Sequence, residues 1–297
     1  MKNGRKRRAV FSLRAAGWLI VLCYSTVCYA QHSDSVTFAN ASWTVTKVSK
    51  GVKLYRHSFT GDILFGASEN ISYVKTKRTL FGRSRFSIAA DAKTLYKTSG
   101  FAKQNNALAA VNGNFFDVKN GGAVDFIKVN GVVVNVNRKG KDEKPDFHQK
   151  AAVVINSGKL RIKKWNGKVN WEEGLQEPDV ILNGPLLLFN GQAEKLDTGS
   201  FSANRHPRTA VGVTKNGTAI MLVVDGRSPN SAGMSLVELT EVMRWLGCVS
   251  AINFDGGGSS TLWVKGRGVV SYPSDNKKWD HEGEREVANI LFLKKRK

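Results

Sequence analysis

The sequence predicts a mixed α+β (α/β) fold, rich in β-structure and built largely from antiparallel hairpins, with at least one strand-helix-strand crossover. Three observations predict it. Asn-Gly pairs flanked by β-forming residues recur at Asn130-Gly131, Asn190-Gly191 and Asn216-Gly217, the sequence that two-residue hairpin turns prefer. One segment, SAGMSLVELTEVMRWLGC at 231–248, has the spacing and end signals of an amphipathic helix. That helix stands between two apolar runs, TAIMLVV at 218–224 and SAINF at 250–254, which read as strands.

Residues 1–30 begin with a basic stretch, MKNGRKRRAVFSLR, continue with an apolar one, AAGWLIVLCYSTV, and end in Cys28-Tyr29-Ala30, with small residues where a signal peptidase reads. The apolar stretch is shorter than the roughly 20 residues a membrane span needs. A cleaved signal peptide is expected, with membrane contact only through this transient segment and export to a bacterial periplasm or cell envelope. Cys23 and Cys28 would leave with it, and Cys248 alone cannot form an internal disulfide. The formal charge is +21, and the chain without its leader stays strongly basic. Such a surface suits phosphorylated or anionic glycans, phosphates or lipid head groups. Runs such as Lys75-Thr76-Lys77-Arg78 and Lys294-Lys295-Arg296-Lys297 also suit a plain solvated surface. No nucleic-acid partner is expected, because no recognised reading motif accompanies the charge. The sequence carries no signal of oligomeric state.

Beyond the leader, residues 31–97 read as an N-terminal β-rich segment packed on a larger domain at 98–297. AAVVINSGKLRIKKW makes a further hairpin through Asn156-Ser157-Gly158, and Asn166-Gly167 is a weaker turn signal. Residues 138–149, charged and containing Pro145, read as a surface loop bordering a site. In the helix, Ser235 and Glu238 fit a capping box as N-cap and N3. Leu236, Leu239, Val242, Met243 and Leu246 share one face that packs on a sheet, and Gly247 sits where a C-terminal glycine belongs.

A strand-helix-strand unit makes its two strands parallel. Asp225 and Asp255 would then leave the sheet at one C-terminal edge, where ligands gather in such sheets. Two aspartates there fit a catalytic pair of the kind glycoside cleavage requires, hard ligands for a divalent metal, or caps of their own turns. Their company, Arg227 and the run Gly256-Gly257-Gly258-Ser259-Ser260-Thr261, favours a site. The run is no Walker loop: no Lys follows the glycines, and TLWV continues as a strand. Glycine N–H groups and hydroxyls are expected to face an anion or a sugar. No G-x-S-x-G pattern points to a serine nucleophile. Elsewhere, Asn112, Asn114 and Asp117 in ALAAVNGNFFD suit sugar hydroxyls, or an Asx turn with Phe115 and Phe116 in the core. His206 and Arg208 precede a strand, and an arginine fork suits carboxylate or phosphate. Arg285 and Asn289 open the last strand, while His57, His148 and His281 stand in no motif.

Taken together and in this order, NGNFFD at 112–117, HPRTAVG at 206–212, VVDGR at 223–227, GMSLVELTEVMRWLGC at 233–248, NFDGGGSST at 253–261 and EREVAN at 284–289 resemble the phosphodiester glycosidase (uncovering-enzyme) family over about residues 98–297. The resemblance implies hydrolysis of a sugar joined through its anomeric carbon to a phosphodiester. Such a reaction passes through an oxocarbenium-like transition state, and a phosphate leaving group calls for cationic and N–H donors more than for an acid. Asp255 and Asp225 are the expected catalytic carboxylates. Glu238 is a third candidate, although its capping-box position favours a structural role. Asn114, Arg208, Arg227, Gly256, Gly257, Gly258, Ser259, Ser260 and Arg285 are expected to bind substrate. No cofactor is required, and a divalent metal stays open. Two other readings stand beside this one. One is a non-catalytic binding module for anionic glycans; the other is a metal-dependent phosphodiesterase, which the aspartate pair permits and no His-rich or Asp-x-Asp cluster supports.

Overall fold

The computed structural model describes residues 33–77, 84–138 and 145–296, with only the backbone of Asp62. The expected signal peptide and the middle of the 138–149 loop lie outside these residues. Among the described residues, the largest sheet has eight strands. In spatial order they are Thr44–Ser49, Val52–Leu64, Ala67–Thr76, Ala219–Val224, Arg208–Thr214, Cys248–Asn253, Leu186–Phe189 and Gln192–Ala193. A five-stranded sheet runs Lys159–Lys164, Ala151–Asn156, Asp179–Asn183, Ile127–Val129 and Val132–Asn135. Another runs Gly268–Val269, Leu262–Val264, Ala107–Asn112, Asn289–Lys295 and Ser84–Ala90. Among the described residues, every strand pairing is antiparallel.

Side chains alternate across a strand, and the apolar residues follow that period. Val52, Leu54, Val74, Val211, Met221, Val223 and Ile252 line one face of the large sheet. They share a core with Val153 and Ile155 of the first five-stranded sheet and with Val111 and Leu291 of the second. The opposite face presents Ile71, Tyr73, Ala210, Ile220, Leu222 and Val224, covered by Leu236, Leu239, Val242 and Met243 of the helix Leu236–Trp245. The outer sides of the smaller sheets are closed by Phe101 and Ala102 of the helix Thr98–Gln104 and by Trp171 with Leu175. Ala107–Asn112 is buried throughout, as expected of a strand packed on both faces.

The expected helix forms between its expected caps. Ser235 Oγ accepts from Glu238 N at 3.3 Å, and Glu238 Oε2 accepts from Ser235 N at 2.8 Å. Gly247 ends the helix at φ 85°. The crossover makes Ala219–Val224 and Cys248–Asn253 parallel, but they are not neighbours: Arg208–Thr214 lies between them, antiparallel to both. Asn130-Gly131 and Asn190-Gly191 form two-residue turns with both residues at positive φ. At Asn216-Gly217 only the glycine has positive φ, and Thr214 N bonds Thr218 O at 2.9 Å. That turn therefore holds three residues, with Gly217 in the left-handed position. Among the described residues, no helix is long and apolar enough to cross a membrane.

The helix gains more from packing than from its cap, so the two contributions separate by mutation. Leu239→Ala is expected to cost roughly 2–5 kcal/mol, whereas Ser235→Ala costs about 1 kcal/mol. Urea denaturation of both variants against the parent checks the order.

Candidate functional site

The strand Arg208–Thr214 fixes the site. Arg208 pairs with Val224 and Ala210 with Asn253, so Asp225 and Asp255 leave the sheet at one edge, on either side of the strand's start. At this edge the three sheets are joined through buried asparagines. Asn112 donates to Asp255 O at 2.7 Å and accepts from Thr209 Oγ1 at 2.7 Å, and Asp255 N donates to Gly113 O at 3.1 Å. Asn183 donates to the same Gly113 carbonyl at 3.3 Å.

The triple glycine lets three further segments close around Asp255. A Cβ would lie 2.8 Å from Pro207 O at Gly256, 2.9 Å from Arg227 Nη2 at Gly257 and 2.7 Å from Arg285 Nη2 at Gly258. Gly257 also has φ 62°, a conformation glycine adopts without penalty. The expected amide cradle is not what forms. Gly256 N donates to Asp255 Oδ1 (2.9 Å), Gly257 N to Pro207 O (2.9 Å), Ser259 N to Gly256 O (3.3 Å) and Ser260 N to Gly257 O (3.2 Å). Those donors are spent inside the protein. The Ser259 and Ser260 hydroxyls are buried beneath the turn and make no hydrogen bond of good geometry.

The two carboxylates differ. Asp225 is buried; its Oδ2 accepts from Asn70 Nδ2 at 2.6 Å and its Oδ1 from Tyr272 N at 2.7 Å. Desolvation pushes it up to about 7. Asp255 keeps part of its surface exposed. Desolvation of its carboxyl pushes it up to about 6, against the pull of the Ser259 hydroxyl, the Gly256 N–H, Arg285 and Arg227. Among the described residues, no group is hydrogen bonded to both carboxylates.

The cations divide similarly. Arg208 is buried, donates to the carbonyls of Met234 (2.7 Å), Phe201 (2.6 Å) and Asn204 (3.0 Å), and lies over the Phe201 ring. Burial pushes it down to about 10. Arg285 is paired with Asp275, its Nε 2.9 Å from Oδ1. Arg227 is exposed, at φ 61°, and has no hydrogen-bond or ion-pair partner among the described residues. His206 is held below its usual range by burial and then by Arg208 and Arg227. Glu238 completes its helix cap and binds Arg205, Nε to Oε1 at 3.1 Å. Asn114 is committed internally, donating to Leu182 O at 3.1 Å and accepting from Asn289 Nδ2 at 2.7 Å.

Two clusters escape the sequence reading. His148 Nδ1 lies 2.8 Å from Oδ2 of buried Asp125, and its ring is 5.1 Å from Phe115, three residues past Asn112. Glu69 is fully buried; its Oε2 accepts from Ser231 Oγ and Gly233 N, both at 3.2 Å, while Oε1 has no partner. Neither pair is close in sequence: Glu69 lies on a strand and meets the loop after Val224, and His148 lies in a short 3-10 turn, Phe147–Gln149, that meets the loop carrying Asp125. Among the described residues, no three His, Cys, Asp or Glu side chains gather as a metal site.

Fold and site define a β-rich α+β protein that places one part-exposed carboxylate beside an arginine that is unpaired among the described residues. A model of the phosphodiester glycosidase family matches residues 105–294, and the chain belongs to that family. N-acetylglucosamine-1-phosphodiester alpha-N-acetylglucosaminidase from Mus musculus is 33% identical over 176 residues, covering 56% of this chain and 33% of that protein. The chain thus spans about a third of that relative's length. The auto-inhibited catalytic domain of the zebrafish protein of the same name superimposes with a TM-score of 0.64 at 22% identity, over 90% of this chain and 93% of that one. A hypothetical protein from Synechocystis gives 0.63 at 15% identity, over 86% and 64%. At these identities the structures show a shared fold.

Burial raises Glu69 from 4.5 to about 8, so the folded state holds its proton more tightly than the unfolded chain does. Its contribution to stability is complete below about pH 4.5 and is lost as pH rises towards 8. Glu69→Gln keeps a neutral side chain of the same shape and is expected to flatten that decline. Urea midpoints of parent and variant across pH 4–8 test it.

Proposed function

We propose that the protein hydrolyses a sugar-1-phosphodiester, breaking the bond between the anomeric carbon and the phosphate oxygen. The family supports this reading, and one observation carries it: the part-exposed carboxyl of Asp255, raised to about 6, lies where Arg227 and Arg285 act on it. N-acetylglucosamine 1-phosphodiesters are the first substrates to test, as the name of the mouse relative suggests. The basic leader and chain charge support an exported protein acting on phosphorylated glycans of the cell envelope.

In this reading Arg227 receives the phosphate. It has no partner among the described residues to give up, and charge-assisted bonds to a phosphoryl group are among the strongest available. The electron pair of the breaking C–O bond goes to the phosphate oxygen, where the guanidinium stabilises it. That leaving group is a weak base and needs no acid. Ionised Asp255 stabilises the positive charge building on the ring and accepts a proton from the water attacking the anomeric carbon. Buried Asp225 acts through others, holding Tyr272 and Asn70 in place. Arg208, Arg285 and the Gly256 to Ser260 turn set the surroundings of Asp255 where the phosphate and sugar would sit, Asn114 ties the segments of Leu182 and Asn289 together, and Glu238 caps the helix Leu236–Trp245.

Asp255→Asn is expected to lower turnover roughly 10²–10⁴-fold with an unchanged circular dichroism spectrum, and Arg227→Ala to lower kcat/KM roughly 10²–10³-fold. The parent rate should climb as pH rises through about 6, where Asp255 ionises. Proton NMR of the first-formed sugar should show inversion; retention would remove the base role from Asp255. Label from heavy-oxygen water should enter the sugar, and label in the phosphate would mean P–O cleavage. Binding without release of sugar or phosphate would make the protein a glycan-binding module.

A further inference from the structure

A polar cleft of about 210 Å³ opens on the face of the large sheet that elsewhere builds the central core. Its position follows from register. Thr44 pairs with Arg56 and Arg56 with Ser72 across three adjacent strands, and Ser58 pairs with Asn70 in the next row on the same face. Paired residues share a face, as do alternate residues along a strand. The same face therefore runs from Val52 and Leu54 to Arg56 and Ser58 on one strand, and from Val74 to Ser72 and Asn70 on the next. An aliphatic surface becomes polar where a core would otherwise continue. His57, Val270 and Tyr272 complete the lining.

Two polar groups in this cleft, on Arg56 and Ser72, are not satisfied by the protein. Ser72 is 0% exposed and its hydroxyl has no hydrogen-bond partner. Arg56 Nε is buried without a partner, and no carboxylate pairs with the guanidinium among the described residues. A buried guanidinium N–H beside an orphaned hydroxyl is costly unless an acceptor arrives. An acceptor carrying negative charge would satisfy both donors at once. The walls are already set: Ser58 Oγ donates to Asn70 Oδ1 at 2.5 Å, and Asn70 Nδ2 and Tyr272 N both donate to Asp225. At roughly 30 Å³ per water, the cleft has room for a tetrahedral oxyanion and its remaining hydration.

We propose that this cleft is a second oxyanion site, taking a phosphate group through Arg56 and the Ser72 hydroxyl, separate from the Arg227 position beside Gly257. Arg56 and Ser72 lie outside residues 105–294, which match the family model. The proposal does not depend on hydrolysis, because it concerns binding alone.

Titration of the purified chain with inorganic phosphate, followed by calorimetry and by the NMR signal of the Trp279 indole, tests it. Trp279 stacks on Tyr272 at 4.1 Å and so reports on the cleft. Arg56→Gln is expected to weaken binding at this site about ten- to hundredfold and to abolish the Trp279 shift. Ser72→Ala should weaken it by a smaller factor, and Arg227→Ala should leave the Trp279 shift intact. Arg56→Lys keeps the charge and should retain weakened binding, which preserves the test if the Gln variant does not fold. Inorganic phosphate binding much better than dimethyl phosphate would mean a terminal phosphate, and comparable binding a bridging diester. A Trp279 shift that persists in Arg56→Gln, or no phosphate-dependent shift in the parent, overturns the proposal.

Discussion

The site depends on how closely four chain segments approach at Gly256, Gly257 and Gly258. Backbone before Arg208, the turn carrying Arg227, and the Asp275–Arg285 pair each occupy the volume that a side chain would need at one of these positions. Asp255 immediately precedes the turn, so whatever closes on the glycines also closes on its carboxyl. The entropy lost in ordering three glycines is thus offset by the approach itself. It is not offset by free amides, since four of the turn's N–H groups already bond within the protein.

That closure governs the electrostatics. Both carboxyls at the edge lose water, and both are raised. Asp225 is countered only by neutral donors, Asn70 and Tyr272, whereas Asp255 is also drawn down by Arg285 and Arg227. Two aspartates equivalent in sequence, each ending a strand and followed by glycine, therefore acquire different chemistry from their neighbours. Asp225 joins the N-terminal strands to the Tyr272 loop, and Asp255 remains the one with a surface towards solvent.

What was legible in the sequence follows the range of the interactions. The helix Leu236–Trp245 was written locally, in Ser235, Glu238, the spacing of its apolar residues and Gly247, and the structure has it within those bounds. Turns at Asn130-Gly131 and Asn190-Gly191 were local too. The common edge of Asp225 and Asp255 was also legible, because a crossover fixes direction. Strand order was not: Arg208–Thr214 inserts between the parallel pair, and nothing in either strand's own sequence requires it. The same limit hid the row Thr44, Arg56 and Ser72, which arises from register between strands, and also Glu69 and the His148–Asp125 contact, which arise from loops that meet distant segments. Around the glycines, the residue types were informative but their geometry was not, because a glycine that exposes its amide and one that admits a neighbour look alike in sequence.

The basic character of the chain acquires a specific meaning at this edge. Arg205, Arg208, Arg227 and Arg285 all lie near it, yet three are already engaged: Arg205 by Glu238, Arg285 by Asp275, and Arg208 by three carbonyls. An engaged guanidinium must exchange one partner for another when an anion arrives, so its net gain is small. Arg227 exchanges only water. Among the described residues it has no hydrogen-bond or ion-pair partner, and it occupies the space that a Cβ on Gly257 would need, so the glycine leaves the guanidinium room without giving it an acceptor. A carboxylate with a raised pKa then stands beside a cation whose charge is not already neutralised. In the proposed reaction that combination would serve a water to be deprotonated on one side and a phosphate to be held on the other.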